Sequence, residues 1–161
     1  MVKGFSLTQI ALHWVVGVLI LFNLIFSDDM TALWRQIRQT GPMPTTTGAW
    51  VHIIVGVLVL ALVAWRLTLR FTRGVPPAPA GESHALKLAG DAGHVLLYVL
   101  MIALPVTGLL TFYGGITALG DLHGGILKAL LWIVIALHVA AALYHHFILK
   151  DGLINRMRKP G

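Results

Sequence analysis

Cysteine is absent from the 161 residues. Its absence excludes disulfides, thiolate-bound zinc, iron-sulfur clusters and thioether-attached haem, all of which need sulfur. Charge is scarce as well: 11% of the residues are charged against 57% apolar, outside the range of soluble domains. Acids are scarcest, six Asp and Glu facing twelve Lys and Arg for a formal charge of +6. The basic residues fall between apolar blocks rather than on an aromatic-interleaved polar surface, which excludes a nucleic-acid partner. Any metal or redox chemistry must rest on the eight histidines.

What is present is four long runs without charge, at residues 4–27, 39–65, 92–120 and 129–149. Each matches or exceeds the roughly 20 residues a helix needs to cross hydrocarbon. The first is no cleaved signal: only Lys3 precedes it, it is too long, and Ser27-Asp28-Asp29 is not a small-residue cleavage site. The expected fold is an all-α membrane protein, a bundle of four transmembrane helices at about 7–27, 48–70, 91–114 and 122–149. They form a single integral-membrane domain over residues 1–161. The first two spans are joined by a polar loop holding Trp34-Arg35-Gln36-Ile37-Arg38 and the helix-breaking Gly41-Pro42-Met43-Pro44. Pro76-Pro77-Ala78-Pro79 makes a stiff linker after the second. A glycine turn at Gly114-Gly115 joins the last two.

Basic loops stay on the cytoplasmic side. Lys3, Arg66, Arg70, Arg73, Lys87, Lys150, Arg156, Arg158 and Lys159 fall on one side, against Arg35, Arg38 and Lys128 on the other. Both termini are therefore expected in the cytoplasm, the basic tail resting on lipid headgroups.

The span interiors contain no Asp or Glu, yet His13, His52, His94, His138 and His145 lie within them and His123 at one end. A cation-coupled transporter normally needs an intramembrane carboxylate, whereas neutral imidazoles suit axial coordination of haem iron. At 100° per residue His123, His138 and His145 fall within about 60° of one another, and His123 and His138 stand about 22 Å apart along the axis. Depth pairs His52 with His123 near the outer face and His13 with His138 near the inner, giving two bis-imidazole sites, with His94 a rival to His138 at the inner one. Gly17 and Gly56, four residues after His13 and His52, leave room for a flat macrocycle. His94 and His145 lie where an imidazole can position and protonate a quinone oxygen. Arg35, Arg38 and Lys128 make a positive outer face able to pair with haem propionates or draw in an anion. Pro105 and Gly108 predict a kink in the third span. Trp50, Trp65, Tyr113 and Tyr144 are interfacial anchors, and Trp14 and Trp34 are read as packing residues.

Several segments together carry a family resemblance: Gln9-Ile10-Ala11-Leu12-His13-Trp14, His52 with Gly56, Gly93-His94 before Ala103-Leu104-Pro105-Val106-Thr107-Gly108, and Leu137-His138-Val139-Ala140-Ala141-Ala142-Leu143-Tyr144-His145-His146 before Lys150-Asp151. The chain resembles the prokaryotic cytochrome b561 family over essentially its whole length. That resemblance implies a bundle in the bacterial cytoplasmic membrane holding two b haems and exchanging electrons with quinone. It makes His13 and His138 the inner-haem ligands, His52 and His123 the outer, and sets His94 and His145 near the quinone. The family includes a superoxide oxidase that passes electrons from periplasmic superoxide to ubiquinone, the expected activity here. Two rival functions are an electron-transfer subunit of a larger dehydrogenase or hydrogenase, and a non-redox metal or haem transport protein. One departure from the family pattern is the fifteen-residue step from His123 to His138, one more than two heptads.

Overall fold

The computed structural model describes residues 4–79, 81 and 83–161, so Lys3 lies outside the described residues. Among these residues there are helices and no strands. Helix α1 (Leu7–Ile25) opens on a capping box in which Ser6 and Gln9 satisfy each other's backbone N–H groups. Helix α2 spans Asp28–Thr40, α3 Thr47–Arg73 and α4 His84–Phe112. The last span, Thr117–Leu149, is continuous but composite. It begins as α5 (Thr117–Asp121), widens into a π-helical turn (Leu122–Leu127), runs on as α6 (Lys128–Tyr144) and widens again over His145–Leu149. A 3₁₀ turn, Leu153–Met157, closes the tail.

Four helices are long and apolar enough to cross a membrane, as expected. Their outward faces stay apolar: Val18, Ile54 and Leu137 are each more than 60% exposed, a surface suited to lipid rather than water. Inward, Val16 and Ile20 of α1, Val59 and Val63 of α3, Leu100, Met101 and Leu104 of α4, and Leu131 and Val134 of α6 make one buried cluster. On every span that layer lies between an upper and a lower polar position, so it divides the bundle in two. Below, the α2 end means the half nearer α2 and the α4–α5 turn; the tail end means the half nearer residues 150–161.

Two expectations need correction. The segment read as a loop around Trp34 is the helix α2, and the third span starts at His84 rather than near 91. Both helices are started by local chemistry that a charge count overlooks. In α2, Asp28 and Asp29 oppose the N-terminal dipole and Arg38 the C-terminal one, before Gly41 (φ +90°) ends it. In α4, Ser83 caps the Leu86 N–H, and exposed Asp91 pairs with Lys87 one turn earlier at 2.8 Å. Helix α2 is locked down at three points: Asp29 sits where a Cβ on Gly48 would be, Trp34 packs onto Gly120, and Arg38 pairs with Asp121 at 2.5 Å.

At the tail end the chain folds under the bundle. Trp14 Nε1 donates to the Met157 carbonyl at 2.8 Å, Gln9 Nε2 to Gly74 at 3.1 Å, and Arg156 to Pro77 at 2.5 Å. Helix α4 continues on both sides of Pro105, and Thr107 Oγ1 donates to the Ala103 carbonyl at 2.7 Å. Trp50, Trp65, Tyr113 and Tyr144 are all exposed near span ends.

Candidate functional site

The sequence-predicted histidines assemble in two places. At the α2 end, His52 of α3 and His123 of the π-helical turn face each other with ring centroids 6.2 Å apart. At the tail end, His13 of α1 and His138 of α6 are 6.1 Å apart, and His94 of α4 stands 5.4 Å from His138. Two imidazoles that share a metal, each nitrogen at about 2 Å, place their ring centres roughly 6 Å apart. Both pairs meet that spacing, and His94 with His138 falls short of it.

Hydrogen bonding separates the two ends. His123 Nδ1 lies 2.8 Å from the Leu104 carbonyl, which can only accept, so this nitrogen carries the proton and Nε2 keeps its lone pair. Gly108 makes the pose possible: a Cβ there would come within 3.0 Å of His123 Cε1. At the tail end Arg66 Nη1 donates to His13 Nδ1 at 2.9 Å and Arg66 Nε to the Tyr98 hydroxyl at 3.1 Å. A guanidinium only donates, so neutral His13 here carries its proton on Nε2. To offer Nε2 to a metal, His13 would take the other tautomer and release the guanidinium.

The fifteen-residue step is explained by the π-helical turn. On a straight α-helix fifteen residues leave two side chains about 60° out of line. A π-turn absorbs one residue without advancing the helix beyond it, so His123 and His138 stand as if fourteen apart.

A cavity of about 420 Å³ opens beside His52 and His123, within the size range of cofactor sites. Gly56 lies on its wall, and a Cβ there would meet only Asn23, at 3.7 Å. A Cβ on Gly17, at the other end, would meet nothing within 4 Å. Four buried side-chain polar atoms lack a hydrogen-bond partner among the described residues: Asn23 Oδ1, Trp34 Nε1, His52 Nδ1 and Thr111 Oγ1. All four belong to residues of this cavity. Orphaned buried groups are costly, and a bound molecule is the ordinary remedy. Trp34, read as packing, packs onto Gly120 and also lines the cavity.

The predicted cations divide. Lys128 Nζ lines the cavity and donates to Ser27 Oγ at 2.7 Å. Arg35 and Arg38 rim a separate shallow depression that shares Thr31 and Trp34 with the cavity wall. His145 is buried, with Nδ1 2.5 Å from Asp151 Oδ2, whose other oxygen accepts the Leu153 N–H at 3.0 Å. In the sequence Asp151 stands out only within the Lys150-Asp151 pair. Burial opposes its charge, but the His145 and Leu153 hydrogen bonds prevail and hold its carboxyl below the usual range. His84 and His146 are exposed and stand outside both groups.

Four apolar spans with paired imidazoles on either side of an apolar layer define a membrane b-type cytochrome. The chain belongs to the prokaryotic cytochrome b561 family, whose sequence model matches residues 4–160. It is 36% identical over 159 residues to cytochrome b562 of Cereibacter sphaeroides, covering 98% of this chain and 96% of that one. It is 28% identical over 178 residues to a probable superoxide oxidase CybB of Yersinia pestis, covering 96% of each chain. Cytochrome b561 homolog 1 of Escherichia coli is 29% identical over 180 residues, covering 95% and 96%. The chain is accordingly a membrane electron-transfer protein of an oxidoreductase family, and haem b is the cofactor that family implies.

Proposed function

We propose that this protein is a di-haem superoxide:quinone oxidoreductase of the bacterial cytoplasmic membrane, with both termini in the cytoplasm. His52 and His123 hold one b haem and His13 and His138 the other, with Gly56 and Gly17 giving the macrocycles room. Bound there, haem iron supplies a one-electron couple at each end of the bundle. The reading rests above all on two imidazole pairs at 6.2 and 6.1 Å on opposite sides of one apolar layer. The His94–His138 distance of 5.4 Å favours His13 as the partner of His138.

The chain's own residues shape both half-reactions. At the α2 end Arg35, Arg38 and Lys128 raise the local concentration of a small anion, and two superoxide ions give up one electron each to leave two dioxygen molecules. At the tail end one ubiquinone takes up those two electrons and two protons to become ubiquinol. His94 and His145 orient the quinone oxygens, and His145 delivers a proton from Nε2 while Asp151 steadies the imidazolium through Nδ1. The excess of basic residues at the tail end supports the orientation.

The deciding experiment is the visible spectrum and haem count of the detergent-purified protein, repeated after superoxide and then ubiquinone. Two low-spin b haems reduced by superoxide and reoxidised by quinone are expected. Two haems indifferent to superoxide would transfer the donor role to a partner dehydrogenase, and a folded protein without haem would overturn the redox reading.

A further inference from the structure

Next to the two imidazoles, the cavity at the α2 end holds groups that no axial ligand needs. Trp34 Nε1 is a donor and nothing else, so whatever satisfies it must accept. Thr111, 6% exposed, has a hydroxyl that reaches neither a neighbour nor the carbonyl one turn back, the usual recourse of a helical threonine. The two side chains are adjacent: the point where a Cβ on Gly120 would lie is 2.5 Å from the indole and 3.0 Å from the threonine methyl. Lys128 adds a positive charge on the same cavity wall, its ammonium donating among the described residues to Ser27 Oγ and so keeping two N–H groups to give. Of the carboxylates at this end, Asp121 is turned to Arg38 and Asp29 packs against Gly48, while the ammonium itself holds a neutral hydroxyl.

Two orphaned donors and a cation around one apolar cavity describe a receptor for an anionic acceptor. A carboxylate, with two oxygens and about four acceptor positions, satisfies all three at once. We infer that Trp34, Thr111 and Lys128 form a carboxylate clamp that holds the acid side chains of the haem between His52 and His123, fixing its rotation about the imidazole axis and tying α2 to the bundle. This rests on the di-haem reading above. It also gives α2 a role: the helix is a cover that carries one donor of the clamp.

The test uses the full-length holoprotein in detergent with Trp34→Phe, which removes the indole donor and leaves an aromatic ring, and Thr111→Val, which removes the hydroxyl and keeps shape. The wild type's haem count is taken first, then transfer of haem to excess apomyoglobin and the midpoint potential of each haem. Each variant should release the haem at the α2 end about tenfold faster, the loss typical of a hydrogen bond to a charged group. Its midpoint should fall, because a less compensated carboxylate disfavours the added electron, while the other haem keeps its rate and potential. Redox-difference infrared spectra should show a shifted carboxylate band in Thr111→Val, the readout to use if Trp34→Phe does not fold. Two haems with unchanged release, potential and carboxylate band in Thr111→Val would overturn the clamp alone. A wild type without haem would overturn the clamp together with the reading beneath it.

Discussion

His145 Nδ1 and Asp151 Oδ2 lie 2.5 Å apart where the last span meets the tail, the imidazole buried and the carboxylate partly exposed. The turn that brings them together uses two left-handed residues, Lys150 (φ +53°) and Gly152 (φ +77°), on either side of the aspartate. Replacing Asp151 with Asn removes the charge that steadies a protonated imidazole. Quinone reduction should slow by about ten- to a hundredfold with little change in the haem spectrum, while Asp151→Glu recovers part of the rate. Stopped-flow reoxidation of the dithionite-reduced protein by ubiquinone measures both.

The same contact has a signature in acid. The folded carboxyl titrates below its unfolded value, so the contact contributes its full stability above the ordinary carboxylate pKa. That contribution is lost as pH falls through the folded value. Thermal unfolding followed by tryptophan fluorescence should drop below about pH 4, and Asp151→Asn should lack that component of the drop.

Axial ligation predicts loss by pairs. His52→Ala and His123→Ala should each lower the haem count from two to one, and their combination should lower it no further. His13→Ala and His138→Ala should remove the other haem. His94→Ala should keep both and impair quinone reduction. Pyridine haemochrome assays on the purified variants decide each case, and a one-haem His94→Ala protein would transfer the ligand role to it.

Two glycines test space rather than coordination. Helical Gly→Ala ordinarily stabilises by about 0.5–1 kcal/mol, and the polypeptide alone leaves room for it at Gly17. If a macrocycle covers Gly17, Ala or Leu there should instead reduce binding at the tail end in rising order of size. Gly108→Ala meets the His123 ring at 3.0 Å, so it should disturb the haem at the α2 end and spare the other. Haem count and the split of the reduced α band report both effects.

The π-helical turn predicts an asymmetry of length. Deleting Gly124, which is exposed with open space about it, should let the turn relax to an α-helix and retain both haems. Inserting one alanine after Leu131 should swing His123 by about 100° relative to His138 and lose a haem. The two constructions differ by one residue each, and the haem count separates them.

Much of this was legible in the sequence because the bilayer imposes blunt rules. Length and lack of charge locate the four spans, and the cost of polar groups in lipid makes each intramembrane histidine conspicuous. Helix α2 was hidden since its eight polar or charged positions and the following Gly41-Pro42 outweigh a short apolar stripe of Met30, Leu33, Trp34 and Ile37. Those four residues repeat at helical spacing and mark an amphipathic helix lying against the bundle. The early start of α4 was masked because the charged Lys87 and Asp91 interrupt its first turns. The partner of His145 was hidden because Asp151 reaches back across a turn set by backbone conformation, which no spacing rule encodes. Gly108 announced a kink, whereas its missing Cβ serves the histidine of another span.

The apolar layer between the two histidine groups has an electrical consequence. Its buried side chains are all apolar, and on the di-haem reading proposed above charge crosses it as electrons. On that reading each electron passing from one group to the other crosses part of the membrane and works with or against the transmembrane voltage. A full crossing is worth about 2.3 kcal/mol per 100 mV, and this partial one a fraction of that. Turnover in energised vesicles should therefore respond to an uncoupler.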